Sequence, residues 1–241
     1  MSTRLEGLDR VIEQMRQPIA QYAEQIQALA GDNALALTLF GAIAAGSFDA
    51  NRHTVRNVLI LDSVDLEMLR RLAKDGVRLG KARISAPLIM TPPYINASLD
   101  TFPLELIEIH QCHITLFGHD HFDSLSFKDS DVRLQCEREL KTILIGMRQG
   151  LLAAAGREKL MGALEADVGE RLVRTLRGLL WLKGQRDAKP AGQVISEVEN
   201  IIQGQLPGVR NVLRASGPQA WEQFRSLYED VETVGKIVDA W

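Results

Sequence analysis

The chain has 241 residues with a formal net charge of -3 from 28 basic and 31 acidic side chains, and 46% of it is hydrophobic, enough for a packed core. So even a balance provides no general positive field, which excludes general nucleic-acid binding and leaves small molecules or proteins as partners. No apolar run approaches the roughly eighteen residues of a membrane span, and the opening MSTRLEGLDRVIEQ is charged where a signal peptide is apolar, so the expected location is cytoplasmic. Cys112 and Cys136 fall in no Cys-x-x-Cys pair and read as reduced thiols.

Residues 4–30 place Leu5, Leu8, Ile12, Met15, Ile19, Ile26 and Leu29 on one stripe, which predicts a helix ending near Gly31 that Pro18 kinks or divides. LALTLF at 35–40, closed by Gly41, and the run at 57–62 predict two buried strands. Leu66, Leu69, Leu72 and Leu79 predict a helix over 65–79, and a third strand at 83–90 is closed by Pro92 and Pro93. PLELIEI at 103–109 interleaves apolar residues with Glu105 and Glu108 and reads as a strand, with a further short strand at 114–117 ending at Gly118. Alternating elements of this kind imply an α/β or α+β unit with a mixed sheet.

Beyond Asp129 the periodicity becomes helical, over 131–155, 157–183, 191–203 and 218–239, with breaks at Gly156, at GQRDAKPAG and at the LPG and SGP turns. The expected division is therefore a sheet-containing domain over 1–130 and an all-helical antiparallel bundle over 131–241. There is no internal repeat and no low-complexity tract.

Phe40-Gly41-Ala42, Ala45-Gly46, a polar loop and the strand from Asn57 to Leu61 together resemble the opening of the nucleotidyltransferase fold. The resemblance implies an α+β architecture, a mixed sheet flanked by helices and followed by the helical bundle, and it extends over roughly residues 34–240. It also implies that Gly41, Ala42 and Gly46 are nucleotide contacts, with Ala42 in place of the family's serine. The family's Asp-x-Asp pair, which holds the metal ions, falls on Val55 and Asn57, neither of them a metal-binding carboxylate. Asp49 lies in the loop and Asp62 at the far end of the strand, so no metal ligand is assigned. Pro103-Leu104-Glu105-Leu106 is similar to a strand of aminoglycoside adenylyltransferases, which would make Glu105 the general base; the other reading is a strand-edge glutamate facing water, with Glu108 pointing the opposite way. DTFPLELIEI, LFGHDHF and RLQCERELKTILIGMRQ, between residues 100 and 150, also resemble bacterial nucleotidyltransferase-domain proteins of unassigned function that carry a helical C-terminal region.

On the helix from 131, Arg133, Glu137 and Lys141 stand one turn apart, with Arg148 near the same stripe. In the related enzymes a basic helix borders the nucleotide, which makes Arg133 and Lys141 candidate phosphate contacts; the other reading is a solvated face tied by i,i+4 ion pairs. His110, His113, His119 and His121 cluster with Cys112, Asp120 and Asp123, yet their spacing fits a polar loop better than a zinc site. Ser47 lacks the frame of a nucleophile elbow, and Leu79-Gly80-Lys81 lacks that of a P-loop. Trp181, Trp221 and Trp241 read as core or rim of the bundle.

The expectation is a nucleotidyltransferase-like protein that has lost metal-dependent catalysis and works by binding a nucleotide or a protein. One alternative is an active enzyme using Mg and ATP or another NTP to move a nucleoside monophosphate onto a small molecule or a protein hydroxyl. The other is a helical scaffold of antitoxin-like type, a homodimer through the helical domain.

Overall fold

The computed structural model describes residues 5–51, 53–214 and 221–239. The first residue of the predicted N-terminal helix, the SGP turn and Trp241 lie outside these. The chain divides into a sheet unit, Met1–Leu99 with Glu108–Ser126, and a helical unit, Asp100–Ile107 with Phe127–Trp241.

In the sheet unit, helix α1 (Glu13–Ala30) runs through Pro18 without a break. Strands β1 (Ala34–Phe40) and β2 (Arg56–Leu61) are the two apolar runs. The helical pattern after β2 is split into α2 (Leu66–Ala73) and α3 (Gly76–Lys81). Asp65 starts α2 by accepting the Glu67 N–H at 2.8 Å. The third strand is shorter than its apolar run: Val55 pairs with Ile84, Pro87 has no N–H to continue the ladder, and β3 begins only at Leu88 (Leu88–Met90). Thr91 caps α4 (Pro92–Ala97), whose two prolines occupy the first turn, where no N–H is needed. Strand β4 (His113–Gly118) ends at a glycine with φ of +83°, where a Cβ would lie 1.8 Å from the Leu35 carbonyl oxygen.

The sheet order is β3-β2-β1-β4, with β2 and β4 antiparallel to β1 and β3 parallel to β2. This is the expected mixed sheet. Ile19, Tyr22 and Ile26 of α1 form one apolar cluster with Leu37, Leu39, Val55, Leu59, Leu61 and Leu116. The polar loop and the glycine turn sit where β1 hands over to β2.

One expectation is corrected. Residues 103–109 are not a strand but belong to helix α5 (Pro103–Gln111). Leu104, Leu106, Ile107 and Ile109 are all buried, so apolar positions recur at three as well as at two residues, and Pro103 is suited to a first helical turn.

The helical unit contains α6 (Asp129–Ala154), α7 (Glu158–Leu182), α8 (Ala191–Ile202), α9 (Pro207–Arg214) and α10 (Trp221–Asp239). Helix α9 begins at the proline of the predicted LPG turn. Ala155 and Gly156 take left-handed conformations and reverse the chain between α6 and α7. The core runs along Cys136, Leu140, Ile143 and Met147 of α6, Leu172, Leu176 and Leu179 of α7, and Leu227, Val231 and Val234 of α10.

Candidate functional site

Phe40 ends β1 in extended conformation, and the chain turns through Gly41 at φ of +73° and Gly46 at φ of +68°. The amides of Ala44 and Ala45 both donate to the Gly41 carbonyl at 3.0 Å, and Ser47 N–H donates to the Ala42 carbonyl at 3.0 Å. Both glycines are needed because a β-carbon disfavours left-handed backbone. Ala42 is half-buried against the apolar cluster. Gly41, Ala42 and Gly46 are thus brought together in one closed turn.

A charged pair that sequence reasoning missed borders this turn. Phe40 and Arg56 are cross-strand partners, and the guanidinium carbon of Arg56 lies 4.3 Å from the Phe40 ring centroid. Its two terminal nitrogens donate to the two carboxylate oxygens of Glu108, at 2.6 and 3.1 Å. A Cβ on Gly41 would stand 3.5 Å from Arg56 Cδ and 3.6 Å from Nη1, so the arginine passes directly over the turn. The signal was the residue between Val55 and Asn57, but using it requires the strand register and the helical state of α5.

The positions where the resemblance puts metal ligands are occupied by structure. Val55 is fully buried in the apolar cluster. Asn57, 1% exposed, accepts the Tyr22 hydroxyl at 2.9 Å and donates to the Ser85 carbonyl at 3.1 Å. Burial pushes the Tyr22 phenol well above its ordinary pKa, so it stays a neutral donor. The Asp49 carboxylate accepts the Asn51 N–H at 2.9 Å within its own loop, and Asp62 is exposed beyond β2. Among the described residues, no three His, Cys, Asp or Glu side chains are placed to hold a metal ion. These residues do not fit a two-metal centre.

The histidine cluster is used for local bonding. His113 donates through Nδ1 to the Ile109 carbonyl at 2.8 Å, and its Nε2 faces Asp120 Oδ2 at 2.7 Å. Burial would raise the Asp120 pKa, but the bond from His113 and the amides of Phe122 and Asp123 together lower it. His119 and His121 stack edge to face at 5.0 Å.

The remaining candidates lie in the helical unit. Glu105, on α5, accepts Gln135 Nε2 at 2.7 Å on one oxygen and Arg174 Nη1 at 3.2 Å on the other. Gln135 Oε1 in turn accepts the Leu104 N–H at 2.8 Å, tying the start of α5 to α6. Arg133 and Lys141 converge on Glu137, and Lys141 also meets Asp239 at 3.2 Å. Glu105 is not among the groups they touch.

No protein-family model and no curated protein matches the chain. Among solved structures, it is similar to spectinomycin adenyltransferase AAD(9) from Enterococcus faecialis, crystallised with ATP and spectinomycin. The TM-score is 0.60 and the identity 10%, over 92% of this chain and 98% of the other. The likeness is one of fold: the mixed sheet and the helical region that follows form an α+β, nucleotidyltransferase-like architecture.

Proposed function

We propose that this chain binds a nucleotide on a nucleotidyltransferase-like fold without metal-dependent transfer. The carrying observation is the pair Val55 and Asn57, one walled into the apolar cluster and the other spent on Tyr22 and Ser85. The likeness in fold to an adenyltransferase crystallised with ATP supports the nucleotide class of ligand.

In place of metal ions, Arg56 supplies the positive charge beside Gly41. A guanidinium fork matches a phosphate as well as it matches a carboxylate. Glu108 occupies that fork, so an incoming phosphate must displace it. With the two side chains 38% and 18% exposed, the pair is worth on the order of 1 kcal/mol, little enough for a multiply charged phosphate to overcome. An active transferase would use Glu105 as its base, but both oxygens of that carboxylate are engaged by Gln135 and Arg174.

Titration calorimetry with ATP tests the reading. Binding is expected with magnesium or with EDTA alike, weakened about tenfold or more in Arg56→Ala, the usual scale for losing a charge-assisted bond, and strengthened in Glu108→Gln. Magnesium-dependent transfer of a nucleoside monophosphate, abolished by Glu105→Ala, would overturn it.

A further inference from the structure

Helix α6 is apolar on two sides. Cys136, Leu140, Ile143 and Met147 fill the bundle core, while Leu134, Ile145 and Leu152 are 57%, 55% and 81% exposed. The exposed three are eleven and seven residues apart, and at 100° per residue they fall within about 20° of one line along roughly 27 Å of helix. One charged side chain, Lys141, shares that line seven residues after Leu134 and is drawn aside to Glu137 and Asp239, so the face is a seam of exposed apolar side chains among basic ones, where a surface helix ordinarily turns only polar residues outward.

Arg138 and Arg148 flank the seam about 15 Å apart, ten residues at the helical rise. Arg148 is held in place by the Tyr228 hydroxyl, at 2.8 Å from Nε and 2.6 Å from Nη2, so it is pre-positioned without being neutralised. Neither arginine has a carboxylate partner among the described residues. Lys141, between them, already has Glu137 and Asp239.

We propose that the exposed face of α6 docks an acidic amphipathic helix of another protein, apolar along its centre and carrying carboxylates opposite Arg138 and Arg148. A second copy of α6 would set these arginines against their own kind, and like charges across an interface oppose assembly. A membrane surface is a poorer match, because the seam is one side chain wide and contains no aromatic residue. The proposal is independent of nucleotide binding.

The test uses the full chain and a fluorescein-labelled helical peptide with leucines at i, i+11 and i+18 and glutamates beside them, paired with a second peptide in which lysine replaces each glutamate. Fluorescence anisotropy is expected to show binding of the glutamate peptide only. Arg138→Glu, whose guanidinium supports nothing in the fold, should weaken that binding about tenfold and admit the lysine peptide, as expected of charge complementarity. Ile145→Asp should abolish binding of the glutamate peptide with an unchanged thermal midpoint. Equal binding of the two peptides, binding of neither, binding of anionic phosphatidylserine vesicles instead, or a dimer in sedimentation that Ile145→Asp dissolves would each overturn the proposal.

Discussion

Glu165 lies on α7 with 1% of its surface exposed, and neither carboxylate oxygen has a hydrogen-bond partner among the described residues. Burial raises its pKa from the ordinary 4.5 to about 7, because desolvation disfavours the charged form. The folded-state value lies above the unfolded one, so the associated stability is fully present below pH 4.5 and is lost as the pH rises through about 7. At full ionisation the loss is about 3 kcal/mol, from roughly 1.4 kcal/mol per pH unit. Asp230, 4% exposed, is pushed by burial from 3.8 to about 6 despite the amides of Val209 and Gly208, and acts with the same sign. Thermal melts are therefore expected to show a higher midpoint at pH 5 than at pH 8. Glu165→Gln should raise the pH 8 midpoint and leave only the smaller decline that belongs to Asp230. A variant that melts lower at both pH values would mean that Glu165 is ionised and satisfied.

At the scale of elements, Gly208 shows how α9 is placed. A Cβ there would lie 2.3 Å from the Leu227 backbone nitrogen, so the start of α9 meets the α10 backbone directly. The Asp230 carboxylate, from α10, accepts the Val209 N–H at 2.8 Å at the same point, and Glu199 of α8 accepts the Leu206 N–H at 2.8 Å. Gly208→Ala must push the two helices apart and should cost about 3 kcal/mol, the upper end for overpacking, read as a lower urea midpoint at unchanged slope. A midpoint within experimental error of wild type would show that the contact relaxes freely. From sequence, Pro207-Gly208 is a turn signal; that it opens a helix depends on capping carboxylates from α8 and α10, which no local pattern reveals. The same limit hid α5. Its seven apolar and acidic residues satisfy both periodicities, and only burial on both sides decides for the helix. Long elements such as α6 and α7, and the apolar runs of β1 and β2, were legible because their periodicity or length admits one state. The turn at Gly41 and Gly46 and the lack of carboxylates at Val55 and Asn57 were expected from the resemblance alone. The Arg56–Glu108 pair was not, since it joins a strand to a helix fifty-two residues later.

At the scale of the whole molecule, each unit has its own apolar cluster, yet no single cut of the chain separates them, because Asp100–Ile107 groups with the helical unit and Glu108–Ser126 with the sheet unit. Leu104 shows what that early segment contributes. It is 2% exposed within the helical core, and a Cβ on Gly178 of α7 would stand 2.3 Å from its Cδ2 and 2.7 Å from Cys136 Sγ, so the glycine makes the space that the leucine fills. Its amide is fixed by Gln135, and Glu105, next in the chain, by Gln135 and Arg174. Leu104→Ala leaves a cavity beside Gly178 and should cost about 2–5 kcal/mol, the usual range for a buried leucine. Because the lost contacts belong to the helical core, hydrogen exchange read by mass spectrometry should show faster exchange in α6 and α7, with β1 and β2 retaining wild-type protection. Equal loss of protection in β1 and β2 would mean that the two clusters unfold as one, and that the segment around Leu104 supports the sheet unit as much as the helices it packs among.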